Sequence, residues 1–307
     1  MIDSLLEYRN CPNCGQDNFV ILFDSNMGVC DLQEGIETLY MIPGDKYGRH
    51  VRCQNCKLIY VNPIEKASKI SEDYSRMESA DVSIIRGSRL RAAKSQLGLI
   101  ERYKNGTHLL DIGCGEGFFL YNASKAGYST KGIELSQHAV GYAKSEFGLD
   151  VEEGCFGEAQ FPENRFDVVT MWQVLEHVPY PLPVLKEVYR VLKPGGLLTV
   201  STPDISGIPA RVLQKKWWNI RRIHVNQFTT KTLMSLLRNA GLQGVSSASY
   251  KESISLAMLL IPMLKYLKLY GQDKVPHCPS AGLSSILNKV TLVYPSRLDN
   301  CIVIGFK

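Results

Sequence analysis

Short apolar runs alternate with stretches of helical periodicity from Thr107 onward, and this alternation restricts the fold more than any other feature of the sequence. Strand-like runs separated by helices of this length predict βαβ units and a parallel sheet. Because the crossover in such units is right-handed, the expected fold is an α/β, doubly wound, open sheet. The predicted strands are His108–Asp111, Thr130–Glu134, Asp150–Gly154, Phe166–Met171 and Leu197–Ser201. The predicted helices between them are Phe118–Ala126, Gln137–Glu146 and Leu182–Leu192.

The alternation weakens in the last third of the chain, but regular elements are still predicted there. A helix is expected over Thr230–Ala240, because Thr229 or Thr230 can cap its start and Gly241 can close it. The last two predicted strands are Gly244–Tyr250 and Cys301–Lys307. The connection between these two strands is long for a compact domain, which indicates an insertion.

Composition divides the chain into three regions. Residues 1–64 hold paired cysteines among glycine and proline turns, which predicts a small separate module. Residues 65–106 are polar with an apolar-periodic stretch, and they predict a helical connector or cap. Residues 107–307 form the predicted α/β domain, with insertions at about 204–228 and 251–298.

The overall composition indicates a globular protein, because 45% of its 307 residues are hydrophobic and 21% are charged. A net charge of +5 is mild, so no nucleic-acid partner is expected. The N-terminus lacks a secretory pattern, and no apolar run reaches the roughly 18 residues of a spanning helix. The cysteines number nine, an odd count, which favours free thiols in a cytoplasmic setting over a disulfide framework.

A glycine-rich loop, LLDIGCGEG at Leu109–Gly117, follows the first predicted strand and precedes a helix. Its glycines, Gly113, Gly115 and Gly117, allow a tight turn and a close approach of the backbone to a ligand. The N-terminus of the next helix adds unpaired N–H groups. The G-x-G-x-G spacing differs from the G-x-G-x-x-G fingerprint of dinucleotide-binding proteins.

Two carboxyl groups narrow the ligand that this loop can hold. Asp111 precedes the first glycine, where it would repel a pyrophosphate but could help to hold an ammonium group. Glu134 ends the second strand, where an acidic side chain can accept hydrogen bonds from both hydroxyls of a ribose. S-Adenosylmethionine offers an amino group, a carboxylate and a sulfonium but no phosphate, so the two acids favour it as the cofactor.

Four sequence blocks resemble, in order and spacing, those of class I S-adenosylmethionine-dependent methyltransferases. The blocks are LLDIGCGEG, GIELS, FDVVTMWQVLEHV and VYRVLKPGGLLTVSTP, and the resemblance covers about residues 105–245. It implies a Rossmann-like sheet of seven strands, the last one antiparallel, with the cofactor at the carboxyl edge of the first strands. It also implies cofactor contacts from Gly113, Gly115, Glu134 and Gln173.

The most similar subgroup contains ubiquinone-type O-methyltransferases and sugar-pathway methyltransferases. The stretch from Trp217 through His224 and Phe228 to Gly241 resembles the pattern of that subgroup.

The third strand adds Cys155 and Phe156 to the candidate site, since an adenine ring could stack there, although core packing is the alternative for Phe156. The complete set of candidate cofactor-binding residues is Asp111, Gly113, Cys114, Gly115, Gly117, Glu134, Leu135, Cys155, Phe156 and Gln173.

Two C-x2-C pairs, Cys11 with Cys14 and Cys53 with Cys56, predict a structural Zn²⁺ site. Four thiolates complete the tetrahedral coordination of a zinc ion and leave no open position for catalysis. A redox pair and unmetallated thiols are the alternatives. The resemblance supports zinc, because similar cysteine-rich modules precede some sugar-pathway methyltransferases, and the fold is expected to carry a small zinc-ribbon-like module.

Methyl transfer needs positioning of the acceptor and, for some acceptors, a base, which histidine supplies most simply near neutral pH. His177 follows the fourth predicted strand and is expected near the methyl group. His224 lies in the region that covers the acceptor by resemblance. Both are candidate catalytic residues, and a purely structural role is the alternative for each.

The stretch Arg211–His224 holds five basic residues around two tryptophans and no acid. Such a stretch suits a phosphorylated or aromatic acceptor, or else forms a solvated basic loop. The stretch Ser253–Tyr270 is mainly apolar, and Lys265 and Lys268 lie in its second half. It is expected to be a lid on the acceptor pocket or an interfacial helix on the inner face of a membrane.

Three functions fit these features. The preferred one is a methyltransferase that acts on a sugar, a nucleotide sugar or a related polar metabolite, since the cysteine module and the basic stretch favour it. The second is a peripheral membrane methyltransferase for a quinone or lipid, which the apolar insertion favours. The third is a non-catalytic binding module, against which the intact glycine loop and Glu134 argue. The sequence does not identify the acceptor atom or the oligomeric state.

Overall fold

The computed structural model describes residues 5–28, 31–32, 45–76, 82–103, 106–255 and 291–307. Its N-terminal part contains five short strands, which are β1 (Leu6–Glu7), β2 (Phe19–Phe23), β3 (His50–Cys53), β4 (Ile59–Val61) and β5 (Ile64–Glu65). Strands β2, β3 and β4 form an antiparallel meander, and β1 pairs with β5. Cys11 and Cys14 lie before β2, whereas Cys53 ends β3 and Cys56 lies in the turn between β3 and β4, an arrangement that fits a zinc-ribbon-like module.

Two helices connect the module to the larger domain. They are α1 (Ala67–Ser75) and α2 (Val82–Ile100). Helix α2 packs against the first helix of the domain, and Ala93, Leu97 and Ile100 belong to the same buried cluster as that helix. The predicted helical connector is therefore part of the core on one side of the sheet.

A seven-stranded mixed sheet forms the centre of the larger domain. The strands of the rest of the chain are β6 (His108–Ile112), β7 (Ser129–Glu134), β8 (Val151–Glu153), β9 (Phe166–Trp172), β10 (Leu192–Pro203), β11 (Asn226–Gln227), β12 (Gln243–Ala248), β13 (Lys251–Ser255), β14 (Thr291–Pro295) and β15 (Asn300–Phe306). The order in the sheet is β12-β15-β10-β9-β6-β7-β8, and β15 runs antiparallel to both of its neighbours. This is the predicted Rossmann-like arrangement with an antiparallel last strand.

The helices of this domain begin and end where the sequence offers caps. They are α3 (Phe118–Lys125), α4 (Gln137–Phe147), α5 (Pro181–Val191), α6 (Ile208–Leu213) and α7 (Thr230–Asn239). The Ser136 side chain accepts a hydrogen bond from Ala139 N and caps α4, while Thr229 and Thr232 form a capping box on α7. Strand β10 begins at Leu192, earlier than the predicted strand at Leu197–Ser201, because α5 passes directly into it.

The cysteine module and the larger domain share one core. Strand β11, from the larger domain, pairs with β4 and so becomes the edge strand of the module's sheet. The buried side chains of Cys53 and Tyr60 belong to the same cluster as Leu233 and Leu236 of α7. A separate domain would bury its own core, so the module is a fixed part of the structure, although its boundary near residue 64 stays a prediction.

Arg9 is the strongest polar link between the two parts. Its guanidinium donates hydrogen bonds to the carbonyl oxygens of Val61, Pro179 and Val225, and to Asn226 Oδ1. Burial lowers the pKa of Arg9 to about 10. The arginine therefore fixes β4, the start of α5 and the segment before β11 relative to one another.

Strands β13 and β14 lie at the two ends of the long insertion and pair with each other in an antiparallel ribbon. Residues 256–290 between them lie outside the described residues, and so does most of the predicted lid or interfacial helix at 253–270. Among the helices that the structure describes, none combines the length and apolar character that crossing a membrane requires.

Candidate functional site

Left-handed glycines build the loop between β6 and α3. The backbone angle φ is +67° at Gly113, +52° at Gly115 and +80° at Gly117, which would cost a residue with a Cβ about 1–2 kcal/mol. A Cβ on Gly113 would also lie 2.6 Å from Cγ2 of Val174, whereas no atom lies within 4 Å of the Cβ position on Gly115. The loop needs glycine for its turn, and the space beside Gly115 is open to a ligand.

Glu134 ends β7 and is held by the backbone of the loop and of α4. Its Oε2 accepts a hydrogen bond from Gly115 N at 2.9 Å, and its Oε1 accepts one from Ser136 N at 2.9 Å. Burial raises the pKa of this carboxyl, while the two backbone N–H groups lower it. Each carboxylate oxygen can accept a further hydrogen bond, so Glu134 keeps the capacity to bind a pair of hydroxyls.

Asp111 lies deeper than Glu134, between β6 and β9. It is 2% exposed, and its Oδ1 accepts a hydrogen bond from Thr170 Oγ1 at 2.6 Å. Burial raises its pKa to about 8, and the hydrogen bond from Thr170 opposes that rise. Burial therefore favours the protonated form of this carboxyl, and a contact with an ammonium group stays a prediction.

The end of β8 brings the next candidates beside Glu134. Gly154 N donates a hydrogen bond to the Glu134 carbonyl at 2.9 Å, which joins the two strand ends. Cys155 is partly exposed there. Phe156 is buried and stacks on Phe161, with the ring centroids 6.0 Å apart. Phe156 thus packs in the core, and a contact with an adenine ring stays a prediction.

Gln173 lies just past β9 at the same edge of the sheet. Its φ of +58° is uncommon for a residue with a Cβ. Its Nε2 donates hydrogen bonds to Ser201 Oγ at 2.9 Å and to Asn300 Oδ1 at 3.2 Å. Of the remaining candidates, Cys114 is 9% exposed within the loop and Leu135 is partly exposed after β7. All the predicted cofactor residues follow or end neighbouring strands of the main sheet.

A second group of polar side chains, which we call the histidine cluster, consists of Tyr74, Glu176, His177 and His224. The His177 and His224 ring centroids are 4.7 Å apart, and the Tyr74 ring is 5.2 Å from His177. One possible ligand atom from each of Glu176, His177 and His224 lies within 4.8 Å of the other two. The structure therefore brings together the two histidines that the sequence singled out.

Backbone carbonyls fix the tautomers of both histidines. His177 Nδ1 lies 3.0 Å from Ile223 O, and His224 Nδ1 lies 2.9 Å from Asn219 O. A carbonyl oxygen can only accept, so each Nδ1 carries the hydrogen and each Nε2 keeps a lone pair. Burial lowers the pKa of His177 to about 3 and holds the pKa of His224 well below its ordinary value. Both rings are neutral at physiological pH.

Glu176 is a buried carboxyl without a hydrogen-bond partner on either oxygen among the described residues. Its Oε1 lies 3.9 Å from His177 Nε2. Burial raises its pKa to about 8. The Tyr74 hydroxyl is buried and lacks a hydrogen-bond partner in the same way, and burial raises its pKa well above the ordinary value. Polar groups in this state are rare in folded proteins and call for a ligand or water.

The cysteine module borders the histidine cluster through His50, a residue for which the sequence offered no supporting context. His50 is fully buried, its ring stacks on Phe23 at 4.6 Å, and its Nδ1 lies 2.9 Å from Gly48 O. It is also one of the groups that lower the pKa of His224. The signal that could have found it is its place in a strand next to Cys53.

The four paired cysteines converge on one point. Cys11 Sγ is 3.4 Å from Cys56 Sγ, and Cys14 Sγ is 3.5 Å from Cys53 Sγ. All four sulfurs lie within 4.8 Å of one another, and none is in a disulfide. Sulfurs around a tetrahedral zinc ion are about 3.8 Å apart, so the cluster fits a closed zinc site.

The basic stretch Arg211–His224 divides into exposed and buried parts. The exposed basic residues are Arg211, Lys215 and Lys216. Arg222 is bound by Glu65 through two hydrogen bonds of 2.8 and 2.7 Å, so its charge is already neutralised. Arg221 is 4% exposed and Trp217 is completely buried. The stretch is therefore largely a structural segment and not a solvated loop.

Comparisons with known proteins agree with this architecture. A family described as a methyltransferase domain matches residues 84–247, more than half of the chain. The ubiquinone biosynthesis O-methyltransferase of Burkholderia vietnamiensis is 36% identical over 115 residues, which cover 35% of this chain and 50% of that protein. The enzyme of the same name from Pseudomonas entomophila is 38% identical over 104 residues, covering 32% and 44%.

The chain spans about half the length of the curated relatives it matches. Among solved structures, a SAM-dependent methyltransferase from Archaeoglobus fulgidus superposes with a TM-score of 0.51 at 19% identity. The superposition covers 74% of this chain and 97% of that one. At this identity the likeness concerns the fold alone.

Proposed function

This chain belongs to the methyltransferase-domain family, within the class I S-adenosylmethionine-dependent superfamily, and from that premise we propose that it methylates a small-molecule acceptor. The observation that carries the proposal is the contact between Gly115 N and the Glu134 carboxylate. This contact places the open backbone at Gly115 beside the Glu134 carboxylate, which can still accept hydrogen bonds from hydroxyl groups. When bound, S-adenosylmethionine supplies an activated methyl group.

The residues of the sheet edge suit the parts of this cofactor. The open space beside Gly115 accepts its amino acid portion, and the free acceptor capacity of Glu134 suits the two ribose hydroxyls. Cys155 and Phe156 follow the neighbouring strand on the side expected for the adenine. Gln173 holds the loop after β9 against Ser201, which positions the residues that lead to the histidine cluster.

The histidine cluster is our candidate for the acceptor site. His177 follows β9 by a short turn, so it lies at the same carboxyl edge of the sheet as the glycine loop, which follows the parallel strand β6. Because His177 and His224 are neutral and each leaves Nε2 with a lone pair, either ring can accept a hydrogen bond from an acceptor hydroxyl and so orient it. Tyr74 and Glu176 offer additional polar contacts.

We favour a polar acceptor, such as a sugar, a nucleotide sugar or a related metabolite. Glu176 and Tyr74 are buried, and their side-chain polar atoms have no hydrogen-bond partner in the part of the chain that the structure describes. An apolar ring would leave those atoms unsatisfied, at a cost of about 1–3 kcal/mol each, whereas a hydroxylated acceptor would satisfy them. The second candidate is a quinone-type acceptor, which the names of the Burkholderia and Pseudomonas relatives favour.

We also propose that the four cysteines hold a structural Zn²⁺ ion. Their sulfurs lie close together and half of them are buried, which suits a closed site that orders β2, β3 and β4. Free thiols in this arrangement suit a reducing, cytoplasmic compartment. Contact of residues 253–270 with a membrane stays a prediction from the sequence, and calorimetry with anionic vesicles would test it.

Calorimetry with S-adenosylhomocysteine and with NAD⁺ tests the cofactor. We expect S-adenosylhomocysteine to bind with micromolar or tighter affinity and NAD⁺ not to bind, because the loop has no pyrophosphate fingerprint. Release of S-adenosylhomocysteine in the presence of nucleotide sugars or a demethylated quinone then tests the acceptor class. Binding of NAD⁺ alone would overturn the proposal.

A further inference from the structure

We propose that Glu176, His177 and His224 form a second metal site, which binds a divalent first-row ion of the zinc type and is distinct from the four-cysteine cluster. The inference deepens the proposed function, since it rests on this cluster being the acceptor site. It concerns the same side chains but assigns them a different chemistry. Metal binding can be measured whether or not methyl transfer occurs.

The ligand chemistry of the three side chains is the first argument. Both histidines donate Nδ1–H to a backbone carbonyl, at 3.0 Å for His177 and 2.9 Å for His224. This second contact is the one that metal-ligating histidines normally make, because it orients the ring and leaves Nε2 for the ion. Glu176 adds a carboxyl group whose oxygens have no other partner among the described residues.

The spacing of the three possible ligand atoms leaves room for an ion between them. Glu176 Oε1 and His177 Nε2 are 3.9 Å apart, too far for a hydrogen bond, although both can accept one. A metal ion binds the ionised carboxylate, so it would displace the proton of Glu176 and take that proton's place beside His177 Nε2. The ligand atoms of all three residues fit within 4.8 Å of one another.

The distances allow coordination after small side-chain rotations. Bonds of about 2.0–2.2 Å to nitrogen and oxygen place the ligand atoms of a tetrahedral ion about 3.4 Å apart. The separation of 3.9 Å between Glu176 and His177 is close to that value. The two-histidine, one-carboxylate set with no thiolate selects ions of the zinc, cobalt or iron(II) type over magnesium or calcium.

Three protein ligands leave a fourth position open, which is the pattern of catalytic and not of structural sites. The Tyr74 ring packs edge-on against His177, with the ring centroids 5.2 Å apart, and its hydroxyl is buried. An acceptor oxygen would fill the fourth position, and the ion would lower the pKa of that hydroxyl. The two histidines would then act as ligands, and the released proton would pass to water.

Arg221 sets a requirement on the acceptor. Arg221 is 4% exposed and its carbonyl accepts a hydrogen bond from His224 N at 3.1 Å, so its buried positive charge opposes a cation at the cluster. The Glu176 carboxylate offsets one positive charge, and an acceptor that binds as an anion would offset more. The site therefore suits an acceptor with an acidic hydroxyl or a phosphate group.

Metal analysis of the full chain, purified without chelator, tests the proposal. We expect two ions per chain in the wild type and one in Glu176→Gln and in His224→Gln. Matched controls are Glu153→Gln and His138→Gln, which change exposed residues outside the cluster and should retain two. Equal metal content in the wild type and in both cluster variants would overturn the second site.

Cobalt substitution tests the ligand set without relying on counts. Co²⁺ at the four cysteines should show intense sulfur-to-metal charge-transfer bands, and these should persist in Glu176→Gln. The wild type should show additional weak visible bands from a nitrogen and oxygen site, which the variant lacks. Identical spectra would contradict the proposal. S-Adenosylhomocysteine calorimetry on the same samples separates this result from the proposed function, since loss of the weak bands with retained binding affects the metal site alone.

Discussion

The cofactor loop and the Glu176–His177 part of the histidine cluster follow the carboxyl ends of two neighbouring parallel strands, β6 and β9, but the chain builds the two regions in different ways. The loop and Glu134 come from one continuous βαβ unit, from Leu109 to Ser136, and are fixed by hydrogen bonds within it. The histidine cluster takes Tyr74 from α1, Glu176 and His177 from the turn after β9, and His224 from the segment before β11. A local site depends on its own segment, whereas an assembled site depends on whatever holds its segments together.

The largest effect should come from cutting the link that assembles the cluster. Arg9→Met would remove the buried donor to Pro179 O and one of the two donors to Val225 O, which keeps Val61 N, at a cost of about 3 kcal/mol in the free energy of unfolding. Hydrogen exchange should accelerate near His177 and His224 and not in the glycine loop. Chemical denaturation and exchange mass spectrometry measure both effects.

The control for Arg9 is Arg49→Met. Arg49 makes an exposed ion pair with Asp24, and such pairs contribute about 0–1 kcal/mol. Equal destabilisation by the two variants, or faster exchange in the glycine loop, would show that the two regions do not differ as described.

The next effect should be confined to the loop. Gly113→Ala places a Cβ 2.6 Å from Val174 at a φ of +67°, which costs about 2 kcal/mol and weakens S-adenosylhomocysteine binding roughly 30-fold. Gly127→Ala is the matched control, because its φ is +90° but no atom lies within 4 Å of the new Cβ. If Gly113→Ala binds S-adenosylhomocysteine as tightly as Gly127→Ala, the loop does not need glycine at position 113 for cofactor binding.

The last prediction concerns how the free energy of unfolding changes with pH, and not its value at one pH. Burial raises the pKa of Asp111 to about 8, so the folded protein holds this proton over a range in which the unfolded chain has lost it. The contribution of Asp111 to stability therefore falls as the pH rises from about 4 to about 8. Asp111→Asn cannot ionise, and it should gain stability relative to the wild type over that range. A constant difference between the two denaturation curves would show that Asp111 ionises normally.

The same contrast explains what the sequence could predict. The strands and helices of the main sheet, the glycine loop, Glu134 and the capping of α7 by Thr229 follow from local periodicity and turn chemistry. The fold class and the convergence of the four cysteines were predicted as well, because C-x2-C pairs have few other uses.

Long-range contacts were not predictable. The pairing of β11 with β4 and the Arg9 contacts join segments more than 150 residues apart. The basic stretch is one consequence, since its excess charge suggested a phosphate site, while Arg222 is neutralised by the distant Glu65. Glu176 had no assigned role, because a single glutamate in a helical or turn segment carries no local signal of burial.

Calorimetry of S-adenosylhomocysteine binding to Glu134→Gln and Glu176→Gln tests the central distinction most directly, because it changes one carboxyl group in each region. We expect Glu134→Gln to lose at least about 100-fold in affinity for S-adenosylhomocysteine, about 2.7 kcal/mol. Glu176→Gln should bind it within about twofold of the wild type. Unchanged binding in Glu134→Gln, or an equal loss in both variants, would contradict this distinction.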